Sequence, residues 1–168
     1  MAEPELAPGE EQILYDLGLM IREAGHVEMM LRLVTSTLTQ SPQGDLIMAG
    51  EDVSRMLELC KHLADGHPWL RRSQCEQLGT VISECKVAFQ ARNQYVHGAW
   101  GQNGGVEQAL ITMRSRRYRR APQTEALTAT DLRTLSTKFN RLSLELFNLL
   151  GQIFERRDEI LKRLNNDS

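Results

Sequence analysis

From Glu10 onward, apolar residues return at every third or fourth position: Ile13, Leu14, Leu17, Met20, Ile21, Ala24, Val27, Leu31, Val34 and Leu38. That period marks one face of an α-helix and predicts a long first helix over about 10–39. Turn-forming residues from Gln40 to Asp45 end it. A second, shorter helix follows around Asp52 to Ala64, with Val53, Met56, Leu57, Cys60 and Leu63 inward, and Gly66-His67-Pro68 stops it. A third is expected from about Trp69 to His97, its inner side made of Leu78, Val81, Ile82, Cys85, Ala88, Phe89 and Val96. Gly98 stands where a C-terminal cap belongs.

The last helix is the clearest, because Leu132, Leu135, Phe139, Leu142, Leu146, Leu149 and Ile153 alternate spacings of three and four without a slip. Thr130 reads as its N-cap, and Asp131 suits the positive end of the helix dipole. Phe147, Leu150, Phe154, Ile160 and Leu161 widen the stripe beyond one seam, which suits more than one neighbour, a second subunit among them. The stretch from Gly98 to Ala129 is too long for a plain loop in a compact bundle. Its turn material at Gly101–Gly105, the alternating Ala109–Arg116 and a second strand near Thr124–Thr128 predict a β-hairpin inserted over 101–128. The expected architecture is all-α: an up-and-down helical bundle of four main helices with an inserted β-hairpin between helices three and four. It is read as a single domain over 1–168 with a flexible leader at 1–9.

Composition agrees with this picture. A chain of 168 residues with 41% hydrophobic positions is long enough to bury a core, and 5% aromatics leave few strand formers. No run approaches the roughly 18 apolar residues of a membrane helix, and the acidic start lacks the regions of a signal peptide, so a cytoplasmic protein with no membrane partner is expected. The odd set Cys60, Cys75 and Cys85 reads as reduced, mostly buried thiols. The formal charge of -2, from 20 basic against 22 acidic residues, argues against a globally basic binder of nucleic acid. The distribution says otherwise. Arg114, Arg116, Arg117, Arg119 and Arg120 surround Tyr118, and without these five the chain has 15 basic residues against 22 acidic ones, or -7. Arginines with an interleaved aromatic suit phosphate contacts and base stacking on RNA, and equally an acidic protein surface.

The most informative stretch is Ala91-Arg92-Asn93-Gln94-Tyr95-Val96-His97-Gly98, closing the third helix. At about 100° per residue, Arg92 and His97 lie roughly 140° apart around the helix, too far round for one face to present both. Either the helix frays near His97, or two copies of the helix meet. Asn93 lies four residues before His97, on the same face, where its amide can hold the imidazole in one tautomer.

An Arg followed by a polar Asn, then a His after four intervening residues, at the end of a helix in a small helical chain, resembles the signature of the HEPN superfamily. The order of long helices before and after the motif is similar as well. In residues, the likeness rests on this one short motif. Many members of that family are metal-independent ribonucleases, and the resemblance implies a homodimer whose composite cleft takes Arg92 and His97 from both copies. An imidazole, with an ordinary pKa of about 6.5, takes a proton from a ribose 2'-OH or gives one to the leaving 5'-oxygen. A guanidinium grips the phosphate and stabilises the charge of the pentavalent transition state. The two suffice for cleavage of RNA to a 2',3'-cyclic phosphate with no cofactor and no metal, and DNA is inert because it lacks the attacking hydroxyl.

The expected function is therefore endoribonuclease, with Arg92 and His97 catalytic, Asn93 orienting and the arginine run guiding RNA. The resemblance also implies a toxin or defence effector that a partner antitoxin or regulatory protein silences. The alternative is a non-catalytic dimeric module binding nucleotide, RNA or protein through the same residues. Glu28 reads as a surface glutamate or a partner for Arg92, and Tyr95 and Trp100 as packing residues or base stackers. His62, His67 and the cysteines fit no common zinc spacing.

Overall fold

The structure is a computed structural model that describes residues 10–102, 108–113 and 123–166. It is mostly helical: α1 (Glu10–Leu38), α2 (Gly44–Met48), α3 (Val53–Ala64), α4 (Arg72–His97) and α5 (Ala129–Asn166), with strands β1 (Ala99–Gln102), β2 (Gln108–Met113) and β3 (Gln123–Thr128) between the last two helices. The four long helices fall where the apolar period places them, with α4 starting three residues later than expected. The hairpin reading needs correction. The chain builds a three-stranded antiparallel sheet in the order β1-β2-β3, not a two-stranded insertion. Ala99 pairs with Thr112 and Gln102 with Ala109, while Gln108 pairs with Thr128 and Met113 with Gln123. Ala99–Gln102, half of it glycine and alanine, carries no strand signal of its own; pairing with β2 supplies what propensity lacks.

The chain divides into two compact units, one of residues 1–24 and 88–139, the other of 25–87 and 140–168. In the first, Ile13, Met20, Ala24, Ala88, Phe89, Leu127, Leu132, Leu135 and Phe139 are buried. The rings of Phe89 and Phe139 meet at 5.1 Å and 58°, joining the end of α4 to the start of α5. Thr128 ends β3 and also caps α5. Its hydroxyl accepts the Asp131 N–H at 3.1 Å, and an Asp131 carboxylate oxygen accepts the Thr128 N–H at 2.9 Å. This reciprocal capping box satisfies two donors at the helix start and replaces Thr130 as the N-cap.

The second unit is a helical bundle around Val27, Leu31, Val34, Met56, Leu78, Leu142, Leu146 and Leu149. Gln74 on α4 donates to Gln152 on α5 at 2.9 Å, and Arg141 on α5 pairs with Glu84 on α4. His67, between α3 and α4, reaches the carbonyl at the end of α1: its Nε2 lies 3.0 Å from Leu38 O. The short α2 lies in a stretch read as turn, because five residues cannot display a helical period and Gly44 reads as a breaker. A Cβ on Gly44 would meet the Ser36 carbonyl oxygen and hydroxyl and the Thr39 hydroxyl at 2.7 Å each, so the close approach of α2 to the end of α1 requires glycine. Gly44→Ala is expected to cost about 1 to 3 kcal/mol in chemical denaturation, as overpacking against backbone does. A neutral result would show that α2 is free to lift away.

Among the described residues, no helix is long and apolar enough to cross a membrane.

Candidate functional site

The motif occupies the last turns of α4, in the first unit. Ala88 and Phe89 are buried there, and a residue three or four positions on continues the same inner stripe. That residue is Arg92. It is half-buried, as is Val96 one turn later, while Asn93, Gln94 and His97 are exposed. A guanidinium thus stands where the stripe calls for an apolar side chain. Among the described residues its buried Nε has no hydrogen-bond partner, as is also true of Arg32 and Arg156, and Nη1 donates to Asn93 Oδ1 at 3.0 Å.

An unmade hydrogen bond at a buried N–H costs about 1 to 3 kcal/mol. Local violations of the packing pattern concentrate where function imposes them. Arg92→Met keeps the length and drops the buried donor, so it is expected to raise stability to thermal unfolding by about 1 kcal/mol. A loss of stability would mean that Arg92 is a structural ion after all.

α4 stays helical through His97, and the Gly98 N–H closes its last turn on Gln94 O at 2.9 Å. Fraying therefore does not bring Arg92 and His97 together; on an intact helix they stand roughly 140° apart, one turned inward and the other outward. The structure joins Arg92 to Asn93 and leaves the exposed imidazole on the other side of the helix. Tyr95 is half-buried.

No family model, curated protein or solved structure matches this chain.

The same unit carries two buried carboxylates that apolar counting passes over. Asp16 falls between Ile13 and Met20 in the inner stripe of α1, and Glu23 between Met20 and Val27; both are buried. Asp16 accepts from Arg133 Nε and from Gln12 Nε2, each at 3.0 Å, and Glu23 accepts from Arg22 Nε and Nη2 at 2.9 and 2.6 Å. The signal for them was in the sequence: charged residues at stripe positions. Glu28, expected either at the surface or against Arg92, is half-buried on α1 in the second unit.

Arg114, Arg116, Arg117, Tyr118, Arg119 and Arg120 lie outside the described residues, between the paired ends Met113 and Gln123. Nothing is described of the Trp100 side chain. The cysteines are free thiols. Burial pushes Cys60 up to about 11 against the opposing bond from Thr35, which makes it a poor nucleophile near neutral pH. Cys75 donates to Ala64 O at 3.3 Å. Among the described residues, no three His, Cys, Asp or Glu side chains gather as a metal-ligand group.

Proposed function

We propose that the protein is a HEPN-type endoribonuclease that acts as a homodimer and cleaves RNA by internal 2'-OH attack. The observation that carries this reading is Arg92 on the inner stripe of an intact α4, with His97 exposed on the other side of the same helix. One copy cannot aim both at one phosphate. Two copies whose α4 ends cross can, each supplying its guanidinium to the imidazole of the other.

In such a cleft one His97 takes the proton of the ribose 2'-hydroxyl as its oxygen attacks phosphorus. Arg92 holds the non-bridging oxygens while they gain charge, and the second His97 protonates the departing 5'-oxygen. The products are a 2',3'-cyclic phosphate and a 5'-hydroxyl. The arginine run 114–120 supplies the electrostatic guide that draws single-stranded RNA toward the cleft. A toxin or defence role, with an antitoxin covering the site, and a cytoplasmic location belong to this same reading.

The test is incubation of the pure chain with single-stranded RNA in chelator. Fragments ending in 2',3'-cyclic phosphate are expected, reduced at least about a hundredfold by either His97→Ala or Arg92→Ala. An all-DNA strand should survive. Cleavage untouched by either substitution would refute the assignment of these residues. RNA binding with no cleavage under any condition would leave the dimeric binding module as the better account.

A further inference from the structure

Adjacent positions on a helix point about 100° apart, so the side chains of Arg92 and Asn93 meet only if one bends toward the other. They do meet. Arg92 leaves the backbone on the inner stripe and Asn93 on the exposed side, and the Nη1–H of Arg92 donates to Asn93 Oδ1 at 3.0 Å. The bond draws the head of the guanidinium toward the rim of the helix, while Nε is buried with no acceptor among the described residues. The N–H donors left for a ligand are therefore the remaining ones on the two terminal nitrogens.

We propose that Asn93 is a positioning residue for Arg92 rather than for His97: its side-chain oxygen fixes the plane of the guanidinium so that the remaining terminal donors face outward as a fork for the non-bridging oxygens of a phosphate diester. The sequence alone favours the imidazole as Asn93's partner, four residues on. The bond observed runs the other way along the helix. A fork recognises two oxygens at once only when its plane is held, and a long arginine side chain without a second anchor sweeps many orientations. Asn93 supplies that anchor from the neighbouring position, so the pair Arg92-Asn93 works as one phosphate-gripping unit and His97 as a separate proton-transfer group. The proposal rests on the ribonuclease reading of the same motif.

The test uses the full chain with single-stranded RNA in chelator. Asn93→Ala is expected to lower kcat/KM about ten- to a hundredfold with the pH dependence of cleavage unmoved. Asn93→Asp, whose carboxylate accepts the same bond, should recover most of the loss. A pH profile displaced in Asn93→Ala puts Asn93 on the imidazole and overturns the proposal, as does full activity in that variant. A second measurement needs no cleavage. In isotope-labelled protein, rotation of the Arg92 guanidinium should be slow in the wild type and in Asn93→Asp, and fast in Asn93→Ala. Equal rotation in the wild type and Asn93→Ala refutes the positioning role, whether or not the chain cuts RNA. Slow rotation lost in Asn93→Ala, together with inorganic phosphate shifting the Arg92 resonances more in the wild type, upholds it even where cleavage is absent and only the ribonuclease reading falls.

Discussion

Replacing Phe139 with alanine is expected to destabilise the protein by roughly 3 to 5 kcal/mol, the cost of a large aromatic cavity in a core that does not collapse around it. Phe139 is 0% exposed and packs on Phe89 at 5.1 Å. The loss therefore includes the aromatic pairing as well as the buried area. In a chain of this size the melting temperature should fall by about 10 °C. Phe139→Leu, which refills most of the volume, should recover more than half of the loss. Phe89 lies one turn before Arg92, so the cavity also loosens the part of α4 that carries the motif. Equilibrium denaturation measures the first effect, and protection of the Arg92 and Asn93 amides from hydrogen exchange the second. A cost below 1 kcal/mol would mean that these two rings do not anchor the end of α4.

The second large effect is expected at His67, which is buried between α3 and α4. Its Nδ1 accepts the Trp69 N–H at 3.2 Å, so the ring proton sits on Nε2 and is donated to the Leu38 carbonyl at 3.0 Å. The side-chain amide of Gln40 lies 3.0 Å from that same Nε2, and the Trp69 ring meets the imidazole edge-on at 5.4 Å. His67→Ala strands a backbone donor and a backbone acceptor and removes a packed ring, a loss of about 2 to 4 kcal/mol. His67→Asn keeps an acceptor for Trp69 and should lose less.

The arrangement needs the neutral ring, since a proton on Nδ1 would face the Trp69 N–H. Burial accordingly lowers the His67 pKa from its ordinary 6.5, against the raising effect of the Leu38 carbonyl. The unfolded chain then takes up a proton near pH 6.5 that the folded chain accepts only at lower pH. The stability from this group is complete above about pH 6.5 and drains away as pH falls through the folded value. Thermal unfolding between pH 7.5 and 5 should show the decline in the wild type and a shallower one in His67→Ala. Parallel curves would remove His67 as the source.

Much of the helical layout was legible because burial follows period. All seven residues of the Leu132–Ile153 series are buried in α5, and Ile13, Met20, Ala24, Val27, Leu31, Val34 and Leu38 are buried in α1. Leu14 and Ile21, counted with that stripe, are exposed; they lie at its edge, where periodicity cannot tell a rim from a core. The wider stripe of α5 divided as well. Leu150 is buried, whereas Phe147 is 62% exposed and Leu161 49% exposed. The short α2 and β1 were hidden because each depends on a neighbour: Gly44 against Ser36, and Ala99–Gln102 against β2. At the candidate site, the 140° offset between Arg92 and His97 was readable from spacing. The inward turn of Arg92 was also readable, three residues after Phe89 on the same stripe. The Arg92–Asn93 bond was not readable, since side-chain reach between adjacent positions depends on rotamers that no sequence period encodes.

One joint in the chain ties strand alignment to helix phase. No residue separates β3 from α5: Thr128 is both the partner of Gln108 and the cap of the helix. A spacer there would let the two elements settle independently. Without one, the azimuth of α5 is inherited from the sheet. A single residue inserted after Thr128 would turn the whole helix by about 100° relative to β3 and carry Leu132, Leu135 and Phe139 away from the core they fill, whereas three or four inserted residues would nearly restore the rotation. The joint behaves as a gear with a fixed tooth, and tolerance to insertions at this point should rise and fall with the helical repeat.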